Sequence, residues 1–336
     1  MKEAVYILGI ETSCDETACA LVKDGKEILS NIVSSQINIH SKFGGVIPEV
    51  ASRLHTENIS LVVEEALNNS GIECDALTAI AVTYGPGLVG CLHSGLLAAK
   101  TLSFLYQKPL LAINHLAGHI YANRFIAELQ FPLLALVVSG GHSELVYVPS
   151  DYEFTVIGST NDDAIGEAYD KVARLLGLGY PGGPIIDKLA KTGKAGYQFP
   201  QVKMSGEYDF SFSGLKSACW QLLQRLQKEK QQYEIADIAA SFQEAVLGQL
   251  MMRSKKALAN YAVKQFVLAG GVAANSRLRA LVLSELASLF PAVEMIVPPL
   301  WCCTDNAAMI AAAGYSAWQK GQRSDYYISA DPAAIY

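Results

Sequence analysis

The sequence predicts an α/β protein made by duplication, with two lobes of related plan. Short apolar, β-branched segments alternate with longer segments of helical periodicity, which implies an α/β fold with largely parallel central pairing. The same order of elements occurs twice, starting near Val5 and again at Pro132. Glycine turns recur at strand ends in both halves, where ligands of α/β sheets gather.

The first half opens with "VYILGIE", "TACALVKDG" and "KEILSNIVSS", three short strands separated by turn chemistry. An insertion near 35–55, "NIHSKFGGVIPEVASRLH", precedes the helical segment "TENISLVVEEALNNSG", for which Thr56 and Glu57 make a plausible cap. A buried strand, a glycine turn and a helix follow in "AIAVTYGPGLVGCLHSGLLAAKTLSFL", then a short strand and helix in "LLAINHLAGHIYANRF". From Pro132 the order returns. "LLALVVSGGHSELVYVPSDYEFTVIGS" gives three strands, and an insertion near 161–232 precedes the helix "IADIAASFQEAVLGQLMMRSKKALANYA". "QFVLAGGVAANSRLRALVLSELASL" and "EMIVPPLWCCTDNAAMIAAAGYSAW" complete the second half. The expected lobes are 1–131 and 132–336.

A chain of 336 residues, 51% hydrophobic and 17% charged, can bury a large core. The apolar run in "MKEAVYILGIETSCDETACALV" is too short, and too soon broken by acids, for a signal peptide or membrane span. Seven cysteines without a CxxC pair indicate neither a disulfide framework nor a zinc ribbon, so a reducing cytoplasm is expected. A net charge of -6 argues against gripping nucleic acid by overall electrostatics; such a role needs a local basic patch or a partner.

In "INHLAGHIYANRF", His115 and His119 stand one helical turn apart and would share a helix face. Two imidazoles at that spacing can hold one metal ion, as in HExxH peptidases. Here Leu116, Ala117 and Gly118 lie between them, so the glutamate that would activate water is missing. One histidine capping the helix while the other packs is the plainer alternative. In the duplicated plan the helix at His115 corresponds to the helix at Asp305, and a pseudo-twofold relation would turn both N-termini toward an interlobe cleft. Asp305 is then the third ligand, and two histidines with one carboxylate suit iron(II) or zinc(II). Simple capping by Thr304 or Asp305 also accounts for "TDNAAMI".

The turns "ETSCDET", "YGPGLVG", "VSGGHS" and "AGGVAANS" are candidates to offer backbone N–H groups to phosphates in a nucleotide cleft between the lobes. No GxxxxGK[ST] motif occurs, and no GxGxxG opens a helix after a first strand. In the second insertion, Asp162 and Glu167 read as a capped helix start and a solvated face. Asp170 and Asp187, flanking "GYPGGP", read as a clamp for sugar hydroxyls. In the first insertion, His40, Glu49, Arg53 and His55 fit either an exposed helix with satisfied charges or a rim that meets a macromolecular substrate.

The set "GIETSCDET", "HSKFGGVIPEVASRLH", "TYGPGLVGCLHSGL", "NHLAGHIYAN", "VSGGHSELV", "DDAIGEAYDKVARLLGLGYPGGP", "FSFSGLKSA", "AGGVAANSRLR" and "TDNAAMIA" resembles the TsaD/Gcp family nearly end to end. The resemblance implies the actin, Hsp70 and sugar-kinase (ASKHA) fold. It implies transfer of a threonylcarbamoyl group from threonylcarbamoyl-AMP to N6 of the adenosine 3′-adjacent to the anticodon, in tRNAs reading ANN codons. It places one divalent metal ion, iron(II) or alternatively zinc(II), on His115, His119 and Asp305. Substrate-binding positions fall on Val138, Ser139, Gly140, Gly141, His142, Asp170, Gly183, Asp187 and Asn275, with an adenine nucleotide as substrate or product. On that reading Asn275 presents its amide to the nucleotide, and His142 and Asp15 are the candidate general bases. The implied partners are tRNA, a TsaB-like paralogue and a TsaE-like ATPase, with no membrane.

Two other functions compete. A metallopeptidase would use the paired histidines but lacks the glutamate, and it gives no use to four glycine turns. A kinase-like ATP-binding scaffold suits the fold alone, yet paired histidines are poor magnesium ligands.

Overall fold

The computed structural model describes residues 3–200 and 206–336; residues 201–205, inside the second insertion, lie outside the described residues. In chain order the strands are β1 Tyr6–Glu11, β2 Glu16–Lys23, β3 Glu27–Ser35, β4 Ala79–Gly85, β5 Leu110–Asn114, β6 Leu133–Val138, β7 Ser143–Val148, β8 Thr155–Ser159, β9 Gln265–Ala269 and β10 Glu294–Ile296. The main helices are α1 Pro48–Ser70, α2 Val89–Leu105, α3 His115–Tyr121, α4 Ile165–Leu175, α5 Gly182–Ala190, α6 Ser213–Lys228, α7 Ile235–Asn260, α8 Ser276–Leu281 and α9 Ala307–Gln319.

Two five-stranded sheets repeat one topology, in the orders β3-β2-β1-β4-β5 and, read from the other edge, β8-β7-β6-β9-β10. The duplication is thus explicit, and the fold is the expected duplicated α/β design. Among the strands named, parallel pairing joins β1–β4–β5 and β6–β9–β10; each opening triplet is an antiparallel meander. Short turns such as Asp24–Gly25 can return a chain only antiparallel, whereas β1 to β4 crosses over through a helix.

Contacts divide the chain into two compact units, Met1–Leu129 with Ser150–Glu153 and Trp301–Tyr336, and Gln130–Pro149 with Phe154–Leu300. The expected division at 131/132 therefore misplaces α9, which belongs to the first unit. The reason is packing. Strand β1 is buried on both faces: Leu8 and Ile10 join a core with Ile59, Val62 and Val63 of α1, while Ile7 and Gly9 face α9. The crossing is close, since a Cβ on Gly9 would lie 2.3 Å from the carbonyl of Ala307, and one on Gly314 would lie 2.7 Å from Ala81 Cβ. Alanines at 307, 308, 311, 312 and 313 leave α9 slim enough for that approach, and all are buried.

Helix α1 starts at Pro48, eight residues before the expected cap. Proline at the first turn needs no N–H partner and presets φ. Thr56 instead sits within the helix, donating back to the carbonyl of Ser52 at 3.1 Å. Among the described residues, no helix is long and apolar enough to cross a membrane.

Candidate functional site

In the first unit, β5 ends at Asn114, whose side-chain oxygen accepts from the N–H groups of Leu116 at 2.8 Å and Ala117 at 3.2 Å. This cap sets His115 at the start of α3 and His119 one turn later; both are buried. Gly118 between them lets α3 lie against α9, because a Cβ there would meet Ile310 Cδ1 at 2.7 Å. Neither Thr304 nor Asp305 caps α9. Asn306 does, accepting from Met309 N–H at 3.1 Å, which leaves the carboxylate of Asp305 turned to the histidines.

The three candidate ligands converge. Asp305 Oδ1 lies 3.1 Å from His119 Nε2 and 3.6 Å from His115 Nε2, and one ligating atom from each residue falls within 4.8 Å of the others. Metal bonds of about 2.1 Å in a tetrahedral site put ligand atoms roughly 3.4 Å apart, so these separations suit zinc(II) or iron(II). Despite its proximity to Asp305, neither ring nitrogen of buried His119 makes a well-formed hydrogen bond. A buried imidazole left in that condition is costly unless a ligand satisfies it. The Asp305 side chain keeps 22% exposure, an open side from which a substrate could reach an ion.

Glu11 stands behind His115. Its Oε2 lies 2.8 Å from His115 Nδ1 and accepts from Thr83 Oγ1 at 2.6 Å, while its Oε1 accepts from the N–H of Ser13. Ser13 Oγ is also 3.2 Å from His115 Nδ1. A carboxylate at Nδ1 fixes the proton there and directs Nε2 toward Asp305, the usual support for a ligating histidine. The charges agree. Burial opposes ionisation of Glu11, yet adjacent His115 outweighs it and lowers the carboxyl pKa. Burial alone would depress His115, but Glu11 and then Asp305 raise it to about 9. Burial likewise opposes the charge of Asp305, and the two histidines bring it to about 2. Two carboxylates thus hold one positive charge, which a proton supplies and a divalent cation would supply better. Sequence reading passed over Glu11; its signal was an acid closing the buried strand "YILGIE".

The second unit carries the nucleotide candidates. Val138 ends β6, and Gly270, at φ 90°, comes so near that a Cβ would be 2.4 Å from the Val138 carbonyl. The next turn is closed by Ser139 N–H to His142 O at 2.8 Å and His142 N–H to Ser139 Oγ at 3.1 Å, with Gly140 and Gly141 exposed at its tip. Open space surrounds both glycines where side chains would project. Asp170 accepts from Gly182 N–H at 2.7 Å; burial pushes its carboxyl above the usual range. Gly183, at the start of α5, also has open space where a side chain would be. Asp187 accepts from Ser276 through N–H at 3.2 Å and Oγ at 3.0 Å. Asn275 caps α8 through Leu278 N–H at 2.9 Å and donates to Gln243 Oε1 at 2.8 Å. Buried and engaged at both ends, it orders its neighbours more than it presents a side-chain amide outward.

Of the candidate bases, Asp15 is half-buried in the first unit, beside Ser13, and His142 belongs to the second. In the first insertion Glu49 and Arg53 are exposed, but His40 and His55 are wholly buried, contrary to a fully exposed helix. His55 spans from Thr17 Oγ1 at 2.8 Å to the Cys14 carbonyl at 2.9 Å, and His40 binds Gln36 at 3.0 Å. His55 anchors the insertion to β2 and the "ETSCDET" loop, while His40 holds the insertion together from within, also accepting from Ile47 N–H at 3.3 Å. Asp162 does cap a helix, though a distant one: it accepts from Phe212 N–H at 2.8 Å and Ser213 Oγ at 2.8 Å at the start of α6. Glu167 pairs with Lys171 on an open face.

A family model described as TsaD, tRNA N6-adenosine threonylcarbamoyltransferase, matches residues 27–312. A relative of that name from Geobacillus thermodenitrificans is 55% identical over 333 residues, covering 99% of this chain and 97% of its own. Another from Bacillus subtilis is 55% identical over 332 residues, covering 98% and 96%. Solved structures show the fold in more distant proteins. Component A of the Acidaminococcus fermentans (R)-2-hydroxyglutaryl-CoA dehydratase aligns over 95% of this chain and 100% of its own, with TM-score 0.54 and 17% identity. T. kodakarensis HypF aligns over 95% and 48%, with TM-score 0.62 and 15% identity.

Proposed function

This chain belongs to the TsaD family of tRNA N6-adenosine threonylcarbamoyltransferases, and on that premise we propose the reaction it performs and the residues that perform it. The threonylcarbamoyl group of threonylcarbamoyl-AMP passes to N6 of the adenosine 3′-adjacent to the anticodon, in tRNAs reading ANN codons. The amine nitrogen bonds to the carbamoyl carbon, the bond from that carbon to the phosphate oxygen breaks, and AMP leaves.

The observation that carries this reading is the set His115, His119 and Asp305 with Glu11 behind it. These residues would hold a divalent ion, iron(II) or zinc(II), which would supply a Lewis acid for the carbamoyl carbonyl. Glu11 keeps the His115 proton on Nδ1 and its Nε2 available. Because Glu11 faces Nδ1 and not the open side, it is not placed to activate a water as a peptidase glutamate does. The exposed Gly140–Gly141 turn offers N–H groups to the adenylate phosphate, and Asp170 and Asp187 accept from ribose hydroxyls. His142 or Asp15 takes the proton lost by the attacking amine.

The net charge of -6 makes a partner's help in holding tRNA reasonable. A TsaB-like paralogue and a TsaE-like ATPase are the proposed partners, in the cytoplasm. The groove of about 1020 Å³ along α1 and α2, lined by Ile59, Val63, Leu67 and an exposed Leu97, is a surface a partner could cover.

Reconstitution tests the reaction. The protein and those partners are incubated with unmodified tRNA, threonine, bicarbonate, ATP and a threonylcarbamoyl-AMP synthase, and the digested tRNA is searched for the modified nucleoside. Its absence, in a mixture that works with the Bacillus subtilis relative, overturns the proposal.

A further inference from the structure

We infer that the segment Asp331–Ala334 is a positioning device for the metal-binding helix α3, acting through Asn114 and Ser13. The inference rests on the metal-site reading above and concerns residues outside the ligand set.

After α9 the chain runs back across the first unit. Ser324 bridges β5, with its N–H on the Leu110 carbonyl at 2.9 Å and its Oγ accepting from Ala112 N–H at 3.0 Å. Lys100 Nζ donates to the Ile328 carbonyl at 2.6 Å. The chain then reaches the end of β4, where Asp331 N–H donates to the Tyr84 carbonyl at 2.8 Å. Gly85 is shaped for this contact, since a Cβ there would lie 1.9 Å from the Asp331 carbonyl oxygen.

From this point two routes lead to His115. In the first, Ala334 O accepts from Asn114 Nδ2 at 3.3 Å. Asn114 Oδ1 is the cap of α3, so the bond to Ala334 selects the amide orientation that keeps the cap in place. In the second, Pro332 O accepts from Gly87 N–H at 3.3 Å, and neighbouring Leu88 N–H donates to Ser13 O at 2.8 Å. Ser13 Oγ in turn stands 3.2 Å from His115 Nδ1. Both routes leave the segment through main-chain carbonyls. Backbone position there sets the device, and the exposed Ile335 side chain contributes nothing to it.

The test is metal affinity, read without turnover. Protein stripped by chelator is titrated with zinc(II) against a chromophoric competitor, at a temperature where circular dichroism shows each variant folded. Deletion of residues 331–336 and Asn114→Ser, which keeps a capping oxygen but cannot reach Ala334, should each weaken binding about 10-fold or more. Combining them should add little, since both act on one element, and Ile335→Ala should bind as wild type does. Wild-type protein that fails to take zinc overturns the metal-site reading itself. If wild type binds and the folded deletion matches it, the positioning role is wrong. Should the deletion not fold, Asn114→Ser in the full chain decides alone, and unchanged affinity overturns the inference.

Discussion

Glu11 and His115, on β1 and α3, meet at 2.8 Å between Oε2 and Nδ1 within the buried interior of the first unit. The contact ties the orientation of the His115 ring, whose Nε2 faces Asp305, to a carboxylate that faces away from the open side. Glu11→Gln keeps the shape and an acceptor but removes the charge. Zinc(II) affinity should fall about 10- to 100-fold, as for other residues that orient metal ligands. Competitive chelator titration measures it, and an affinity equal to wild type would contradict the assigned role.

Removing a ligand should do more. His115→Ala and Asp305→Ala are expected to be purified with little metal and to lose nucleoside formation, while His93→Ala, at an exposed position of α2, keeps its metal. Elemental analysis of the purified proteins checks this. Full metal content in either ligand variant would show the triad to be misassigned.

Asp162 gives a pH prediction away from the His115, His119 and Asp305 cluster. Burial opposes its charge, but hydrogen bonds from Ser211, Phe212 and Ser213 prevail and lower its carboxyl pKa. A depressed carboxyl contributes stability that is present above the ordinary value of about 3.9 and lost as pH falls through the folded value. Asp162→Ala should cost about 1 kcal/mol at neutral pH, the usual scale of a lost helix cap. Urea titrations should show that gap closing in acid. A gap independent of pH would mean the charge is not what stabilises α6.

Gly9→Ala tests the crossing of β1 and α9. The added methyl meets main-chain atoms of Ala307 and Ala311, which cannot rotate away. Overpacking of this kind costs about 1–3 kcal/mol, visible as a lowered denaturation midpoint. An unchanged midpoint would show that the two elements separate freely.

Much of this was legible in the sequence because periodicity and turn chemistry are local. The doubled order of elements, the ends of β5 and the start of α3 follow from such patterns, and the equivalence of the two halves picked out Asp305. What escaped was set by tertiary contact. Glu11 reads as the end of an apolar strand until His115 is brought to it from 104 residues away. His40 and His55 look like surface residues in a charged segment, yet His55 bonds a hydroxyl on β2 and a loop carbonyl, and His40 is buried against Gln36 within the insertion. The lobe boundary failed because small residues in α9 suit a sheet from either half, and no local signal names which one.

The return of α9 to the first unit also sets a timetable for biosynthesis. His115 and His119 leave the ribosome long before Asp305, and at about 5–20 residues per second the interval is on the order of ten seconds or more. Throughout it β1 lacks the helix that covers one of its faces, and the histidines lack their carboxylate. Capture of an ion by the proposed triad would therefore be a late event in the life of the nascent chain. A stalled or prematurely terminated product would carry both histidines and bind no ion securely.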